Sequence, residues 1–139
     1  MTFRDRMRVN PSQAEIDVFT ELQRRGLHKH LVSLGTVVLI MKATEERRVI
    51  IANKNQVTKP LVSLAEMFTI PDFPFLRHHR LLVYLDGPVH ERRGVKNRDD
   101  RIDKQLTKFG FQSERFSYTP PLSNTRKMEI CNRLAELLQ

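Results

Sequence analysis

The chain has 139 residues, of which 40% are hydrophobic and 29% are charged, and its formal net charge is +8. This length is enough for one domain with its own core but too short for two ordinary domains, and the composition excludes global disorder. No apolar run reaches the length of a membrane span, and the excess of positive charge predicts a polyanionic partner, of which nucleic acid is the commonest.

We therefore expect residues 1–139 to form a single soluble domain that does not associate with membranes. Cys131 is the single cysteine, so no internal disulfide can form. The first ten residues lack the apolar segment of a secretory signal. Both features lead us to expect a location in the reducing cytoplasm, with Cys131 as a buried hydrophobe of a C-terminal amphipathic helix.

The first predicted helix covers residues 10–26. It begins at an Asn-Pro pair, which is a strong cap followed by a good first helical residue, and it ends at a glycine. Val18, Phe19 and Leu22 form its apolar stripe, and Glu15 falls within that stripe. A carboxylate there needs a basic or metal partner, unless it lies at the exposed first turn, where the helix dipole favours an acid.

The next part of the chain is predicted to contain two strands and a short helix. Residues 36–42 and 47–52 are apolar and rich in β-branched side chains, which is typical of strands. Residues 53–59 form a polar, basic loop. A helix is then predicted from Thr58 to about Phe68, because Thr58 is a suitable cap and Pro60 suits a first turn.

A predicted β-hairpin over residues 70–90 carries the strongest functional signal. Asp72 lies near the start of its first strand and Asp86 ends its second, so the hairpin brings two carboxylates to the same region. Two carboxylates suit a divalent metal, yet Pro-Asp and Asp-Gly pairs are also ordinary turn sequences, and both interpretations remain open. The turn of the hairpin is cationic and suits either phosphate contact or simple solvation: Arg77, His78, His79 and Arg80.

The C-terminal third completes a mixed α/β pattern. Its predicted elements are a mobile basic loop (residues 91–96), a helix (97–109), a strand (111–118) and a closing helix (124–138). His90 lies three residues past a glycine and can return toward Asp86. Arg98 and Asp99 lie at the start of the following helix, on the side that faces His90.

Taken in order, these segments resemble a known family of nucleases. NPSQAE opens the first helix, PDF opens the hairpin, and LVYLDGPVH is followed by RDDRIDKQLTKFGF and then RF. This order is similar to that of the Vsr-like endonucleases, and in particular of the LDGxxH type within the PD-(D/E)XK superfamily. The resemblance implies a restriction-endonuclease-like core, in which helices flank a mixed central β-sheet, and hydrolysis of DNA phosphodiester bonds that depends on Mg²⁺ or, in its place, Mn²⁺.

The resemblance also implies roles for individual residues. Glu15 matches the family's first-helix glutamate, Asp72 its metal-binding aspartate, Asp86 the aspartate of LDG and His90 the histidine that closes the motif. Asp72, Asp86 and the main-chain carbonyl of Leu85 would bind the metal, and Glu15 would hold a metal-bound water. His90 would act as a general acid-base or steady the phosphate. Three further residues are expected to support the site, namely Tyr84, Arg98 and Asp99.

Two positions distinguish this chain from its expected relatives. Tyr84 stands where many of them carry glutamate, and Asp86 stands near the place of the superfamily's usual lysine.

An active endonuclease in repair, recombination or restriction is the expected function, and a degenerate nuclease fold that binds DNA together with a partner is the alternative. Cutting both strands would require a second copy or sequential nicks. The residues expected to contact DNA are Arg77, His78, His79, Arg80, Arg92, Arg93 and Lys96. Residues 31–69 are longer than in most relatives and are expected to be a specificity insert or extra strands.

Overall fold

The computed structural model describes residues 12–42, 47–88 and 93–139. Within these ranges the chain forms α1 (Gln13–Arg24), β1 (Thr36–Met41), β2 (Arg48–Asn53), α2 (Lys59–Ser63), β3 (Ala65–Thr69), β4 (Phe73–Phe75), β5 (Leu81–Asp86), α3 (Arg93–Lys108), β6 (Gln112–Ser117) and α4 (Asn124–Leu137). Short 3-10 turns follow α1 and β2. The predicted mixed α/β class is confirmed.

The ends of α1 are set by local sequence. The Ser12 side chain accepts a hydrogen bond from the backbone N–H of Glu15 and so caps the helix at a position two residues later than we predicted. The Asn10-Pro11 pair lies outside the described residues. Gly26 ends the helix as expected, because it adopts a left-handed backbone conformation (φ 73°) that glycine takes without strain.

The strands form two three-stranded sheets. The first has the order β2-β1-β3 and is antiparallel, whereas in the second, β4-β5-β6, β5 pairs antiparallel with β4 and parallel with β6. The parallel pair requires a crossover, which α3 supplies. Only residues 70–72 separate β3 from β4, so one short link joins a strand of each sheet.

Two apolar clusters hold the helices against the strands. Side chains of α1 and α4 pack on one face of the second sheet, with Val18, Leu22, Val83, Ile130 and Leu134 fully buried. On the opposite side, α3 covers side chains from both sheets, among them Val38, Ile40, Leu82 and Leu106. The two sheets therefore share one core beneath α3. No helix in the described ranges is long and apolar enough to cross a membrane.

Two predicted elements were wrong in extent. The helix expected over residues 58–68 begins after its Thr58 cap but ends at Ser63, and residues 65–69 form β3 because β1 offers them a buried antiparallel partner. Residues 93–96, predicted to lie in a mobile loop, belong to α3. Residues 31–69 contain the whole first sheet.

Candidate functional site

The hairpin brings Asp72 to the end of β5, as the sequence predicted. Phe73 pairs with Val83, so Asp72 lies just beyond β4, beside the last residues of β5. The backbone N–H of Leu85 donates a hydrogen bond of 2.7 Å to Oδ2 of Asp72. This contact holds the Asp72 carboxylate next to the strand end that carries Asp86.

Glu15 joins this pair from α1. Its carboxyl lies within hydrogen-bonding reach of Asp72 and also accepts a bond of 3.3 Å from the hydroxyl of Ser12, the cap of the same helix. Burial, helped by the neighbouring charges of Glu15 and Asp86 and opposed by the Leu85 N–H, raises the pKa of Asp72 to about 7. Two further acidic groups therefore act on the Asp72 carboxyl at this end of the hairpin.

Asp86 is oriented by a residue whose role the sequence analysis did not assign. Arg115, on β6, donates to both carboxylate oxygens of Asp103, over 2.7 and 3.0 Å. Its Nη1 lies 3.4 Å from Asp99 and 3.6 Å from Asp86, and its guanidinium carbon lies 3.9 Å from the ring centroid of Tyr84. One guanidinium thus links three aspartates and an aromatic ring. The RF dipeptide was part of the family pattern, but only the parallel pairing of β5 with β6 reveals what its arginine contacts.

Tyr84 is a buried structural side chain in this arrangement. It is 5% exposed, and its hydroxyl forms a 2.6 Å hydrogen bond with the hydroxyl of Thr69, on β3. Burial raises its pKa above the ordinary range, so the phenol stays neutral. Tyr84 therefore offers neither a negative charge nor a free oxygen in the place where relatives are expected to carry glutamate.

The buried acid of α1 differs from the one that we singled out. Glu15 is only partly buried, whereas Glu21 is 7% exposed and is bound by Arg24 and Arg25. Hydrogen bonds from the two arginines lower the pKa of Glu21 to about 2. Arg24 follows Glu21 by three residues and Arg25 follows it by four, and this spacing on one helix is the sequence signal that could have identified the two ion pairs.

The basic turn lies at the other end of the hairpin from Asp72 and Asp86. Arg77 and His78 are exposed, and His79 is half-buried against His30. Arg80 is exposed but donates to the backbone carbonyl of Phe109, which fixes it at the end of α3. The strand between turn and site is six residues long, or about 20 Å at the usual rise, so the turn would contact a ligand far from the carboxylates.

Several expected site residues cannot be located. His90 and Arg92 lie outside the described residues, as do the side chains of Arg93 and Lys96. Arg98 is described and exposed, and Asp99 turns toward Arg115.

No known protein family, curated protein or solved structure matches the chain. In residues 12–42, 47–88 and 93–139, no three His, Cys, Asp or Glu side chains are grouped closely enough to hold a metal ion. Asp72 and Glu15 do provide two neighbouring carboxylates, and Mg²⁺ is commonly held by one or two carboxylates together with water and substrate phosphate. The donor set fits a hard divalent cation of that kind.

Proposed function

We propose that the chain is a metal-dependent endonuclease that hydrolyses DNA phosphodiester bonds, with Mg²⁺ as its cofactor and Mn²⁺ as a substitute. The observation that carries the proposal is the partly buried Asp72 carboxyl, which is held against Glu15 and near Asp86 although both neighbours disfavour its ionisation. No basic side chain in the described ranges pairs with Asp72. A divalent cation would remove this conflict, and acidic sites that are costly to the folded chain are typical of function.

The arrangement of strands also supports a restriction-endonuclease-like core. An antiparallel hairpin is followed by a crossover helix and a parallel strand, and the carboxylates lie where the hairpin strand ends. This order describes the second sheet alone, because the strands form two three-stranded sheets and not the single central sheet that the family resemblance implies. The positive charge of the chain favours a nucleic-acid substrate.

In the proposed mechanism, Asp72 and Glu15 would hold the metal directly or through water, and Arg115 keeps the Asp86 carboxylate at the edge of the site. A metal held there would supply an acidified water and would neutralise charge on the scissile phosphate. The Leu85 N–H donates to Oδ2 of Asp72 and so fixes the orientation of the Asp72 carboxyl. His90 follows Asp86 by four residues, and we assign it the proton transfer or the contact with the phosphate.

The decisive experiment is a nicking assay on supercoiled plasmid with Mg²⁺, Mn²⁺ or EDTA. Wild type is expected to relax the plasmid only with metal, and Asp72→Asn is expected to be inactive. Asp100→Asn, a change at an exposed aspartate of α3, is the matched control and should cleave normally. Cleavage in EDTA, no cleavage with either metal, or equal cleavage by Asp72→Asn would refute the proposal.

A DNA-binding module without catalysis is the second candidate, and two contacts favour it. Arg115 lies 3.6 Å from Asp86 and offsets part of its charge, and Tyr84 replaces the expected glutamate with a neutral, hydrogen-bonded side chain. This candidate predicts no calorimetric binding of Mn²⁺, together with salt-sensitive DNA binding that Asp72→Asn leaves unchanged. Binding of Mn²⁺ by wild type and its loss in Asp72→Asn would decide for the nuclease.

A further inference from the structure

The two flanks of α3 carry opposite charges. Ile102 and Leu106 face the core, and on one side of them Asp99 and Asp103 contact Arg115. The opposite flank carries Arg101, Lys104 and Lys108, all exposed and spaced by three and four residues. At 3.6 residues per turn this spacing keeps the three cations on one strip of the helix surface. The helix thus separates the acidic site from a basic strip.

The basic strip forms one wall of an open groove of about 440 Å³ between α3 and β3. The opposite wall is β3, which contributes Glu66 and Met67. We call this the α3–β3 groove. Arg47 lies across the end of the groove. Its Nη1 donates a hydrogen bond of 2.7 Å to Oε1 of Gln105, and its Nη2 lies 3.3 Å from Oε1 of Glu66. Glu66 is the single acid among the described residues of the groove, and it is already paired with Arg47.

The charge balance of the groove predicts an anionic ligand. Among the described residues, Arg101, Lys104 and Lys108 form no ion pair, whereas Arg47 and Glu66 offset each other's charge. Three exposed cations that are close together repel one another, and an anion relieves this repulsion. The described walls of the groove contain no aromatic side chain, so the groove is suited to phosphates and unsuited to stacked bases.

We propose that the α3–β3 groove binds the sugar-phosphate backbone of nucleic acid. Arg101 and Lys108 are seven residues apart, or about 10 Å along the helix, whereas duplex DNA carries one charge per about 1.7 Å of its axis. A strip of this length contacts several phosphates, and a single phosphate ion would engage only part of it. The inference rests on the proposed nucleic-acid substrate but adds a surface away from the carboxylates.

The position of the groove relates it to the candidate site. Asp99 and Lys108 lie on the same helix, nine residues or about 14 Å apart, so backbone held in the groove lies within a few nucleotides of the acidic end. The groove therefore sets the register of the strand and leaves the choice of sequence to other contacts.

The test measures binding of a fluorescein-labelled 16-base-pair DNA duplex by anisotropy, in EDTA and at 50 to 200 mM salt. The groove variant combines Arg101→Gln, Lys104→Gln and Lys108→Gln, which remove charge while retaining good helix formers. The control variant removes three charges from exposed lysines elsewhere, through Lys29→Gln, Lys54→Gln and Lys59→Gln. Circular dichroism and thermal unfolding establish that both variants are folded.

Loss of three phosphate contacts should lower the slope of log affinity against log salt by about 2.7 and weaken binding by roughly 10- to 100-fold at 100 mM salt. The control should stay within about threefold of wild type. The single changes Lys104→Gln and Lys108→Gln should each lower the slope by about 1, which tests the groove even if the triple variant unfolds.

Equal loss of binding in the groove and control variants would overturn the inference, since the effect would then come from overall charge. Wild-type affinity of the groove variant would also overturn it and would leave the proposed nuclease activity untouched. If the protein does not bind the duplex but binds vesicles of phosphatidylserine and phosphatidylcholine through the groove, the inference is overturned, and the ligand of the groove is a membrane surface. Groove-dependent DNA binding without metal-dependent nicking would uphold this inference and refute the nuclease.

Discussion

Asp72→Asn is expected to stabilise the metal-free protein while it abolishes cleavage. Asparagine keeps an oxygen that can accept the N–H of Leu85 and removes the charge that burial and Glu15 disfavour. A carboxyl whose pKa rises from 3.8 to about 7 destabilises the folded state by at most about 4 kcal/mol once it is ionised. Because the side chain keeps some contact with solvent, we expect about 2 kcal/mol, or a rise in Tm of about 6 °C for a domain of this size.

The pH dependence provides the sharper test. A raised carboxyl pKa means that the folded state binds more protons than the unfolded state between pH 3.8 and about 7, so the stability of the metal-free wild type falls as pH rises through this range. Above pH 7 this contribution is constant. The gap in Tm between Asp72→Asn and wild type should therefore be largest near pH 8.5 and shrink as the pH is lowered toward 4.

Differential scanning fluorimetry in EDTA at pH 4.5 and pH 8.5 measures this gap. Asp100→Asn controls for the loss of one negative charge at an exposed position of the chain. A variant no more stable than wild type at pH 8.5, or a gap that does not change with pH, would show that Asp72 is not held in an unfavourable environment. Addition of Mn²⁺ should raise the Tm of wild type and leave that of Asp72→Asn unchanged.

Three further predictions concern residues around the site. Tyr84→Phe should lower the free energy of unfolding, measured by chemical denaturation, by about 1–2 kcal/mol, because it leaves the buried hydroxyl of Thr69 without its partner. The same change should leave plasmid nicking unchanged. A loss of nicking with normal stability would instead give the phenol a catalytic role. Arg115→Met should lower the free energy of unfolding by about 3 kcal/mol, because three aspartates lose their shared cation. Arg115→Lys should recover part of this loss. Unaltered stability of Arg115→Met would contradict the proposed positioning role. Cys131 is buried and its pKa is raised to about 11, mainly by burial, so Ellman's reagent at pH 8 should react with it only after denaturation, and rapid reaction of the folded protein would refute this placement.

Elements with strong local signals were predictable from the sequence. The apolar run of β1, the Asp-Gly end of β5 and the amphipathic pattern of α4 each specify their element without help from distant residues. The meeting of Asp72 with the end of β5 was equally accessible, because hairpin pairing follows from two strands joined by a short turn.

The errors arose where distant contacts decide the outcome. The β3 segment continues a helical spacing of apolar residues after Thr58, and it becomes a strand only because β1 lies beside it. Arg115 is one of many basic residues in the sequence, and its three aspartates come from β5 and α3. Glu15 was placed in the buried stripe, but the register of α1 buries Glu21 more deeply.

Asp72 belongs to the three-residue link between β3, which is a strand of the first sheet, and β4, which is a strand of the second. The backbone of Asp72 is therefore anchored on one side by β3, which pairs with β1, and on the other side by β4, which pairs with β5. Any hinge-like movement of one sheet against the other must pass through residues 70–72 and would displace the Asp72 carboxylate from Glu15. The metal affinity proposed for this site should consequently depend on the alignment of the two sheets, so that a change in the first sheet, away from Glu15, Asp72 and Asp86, can weaken the site without altering one of its ligands.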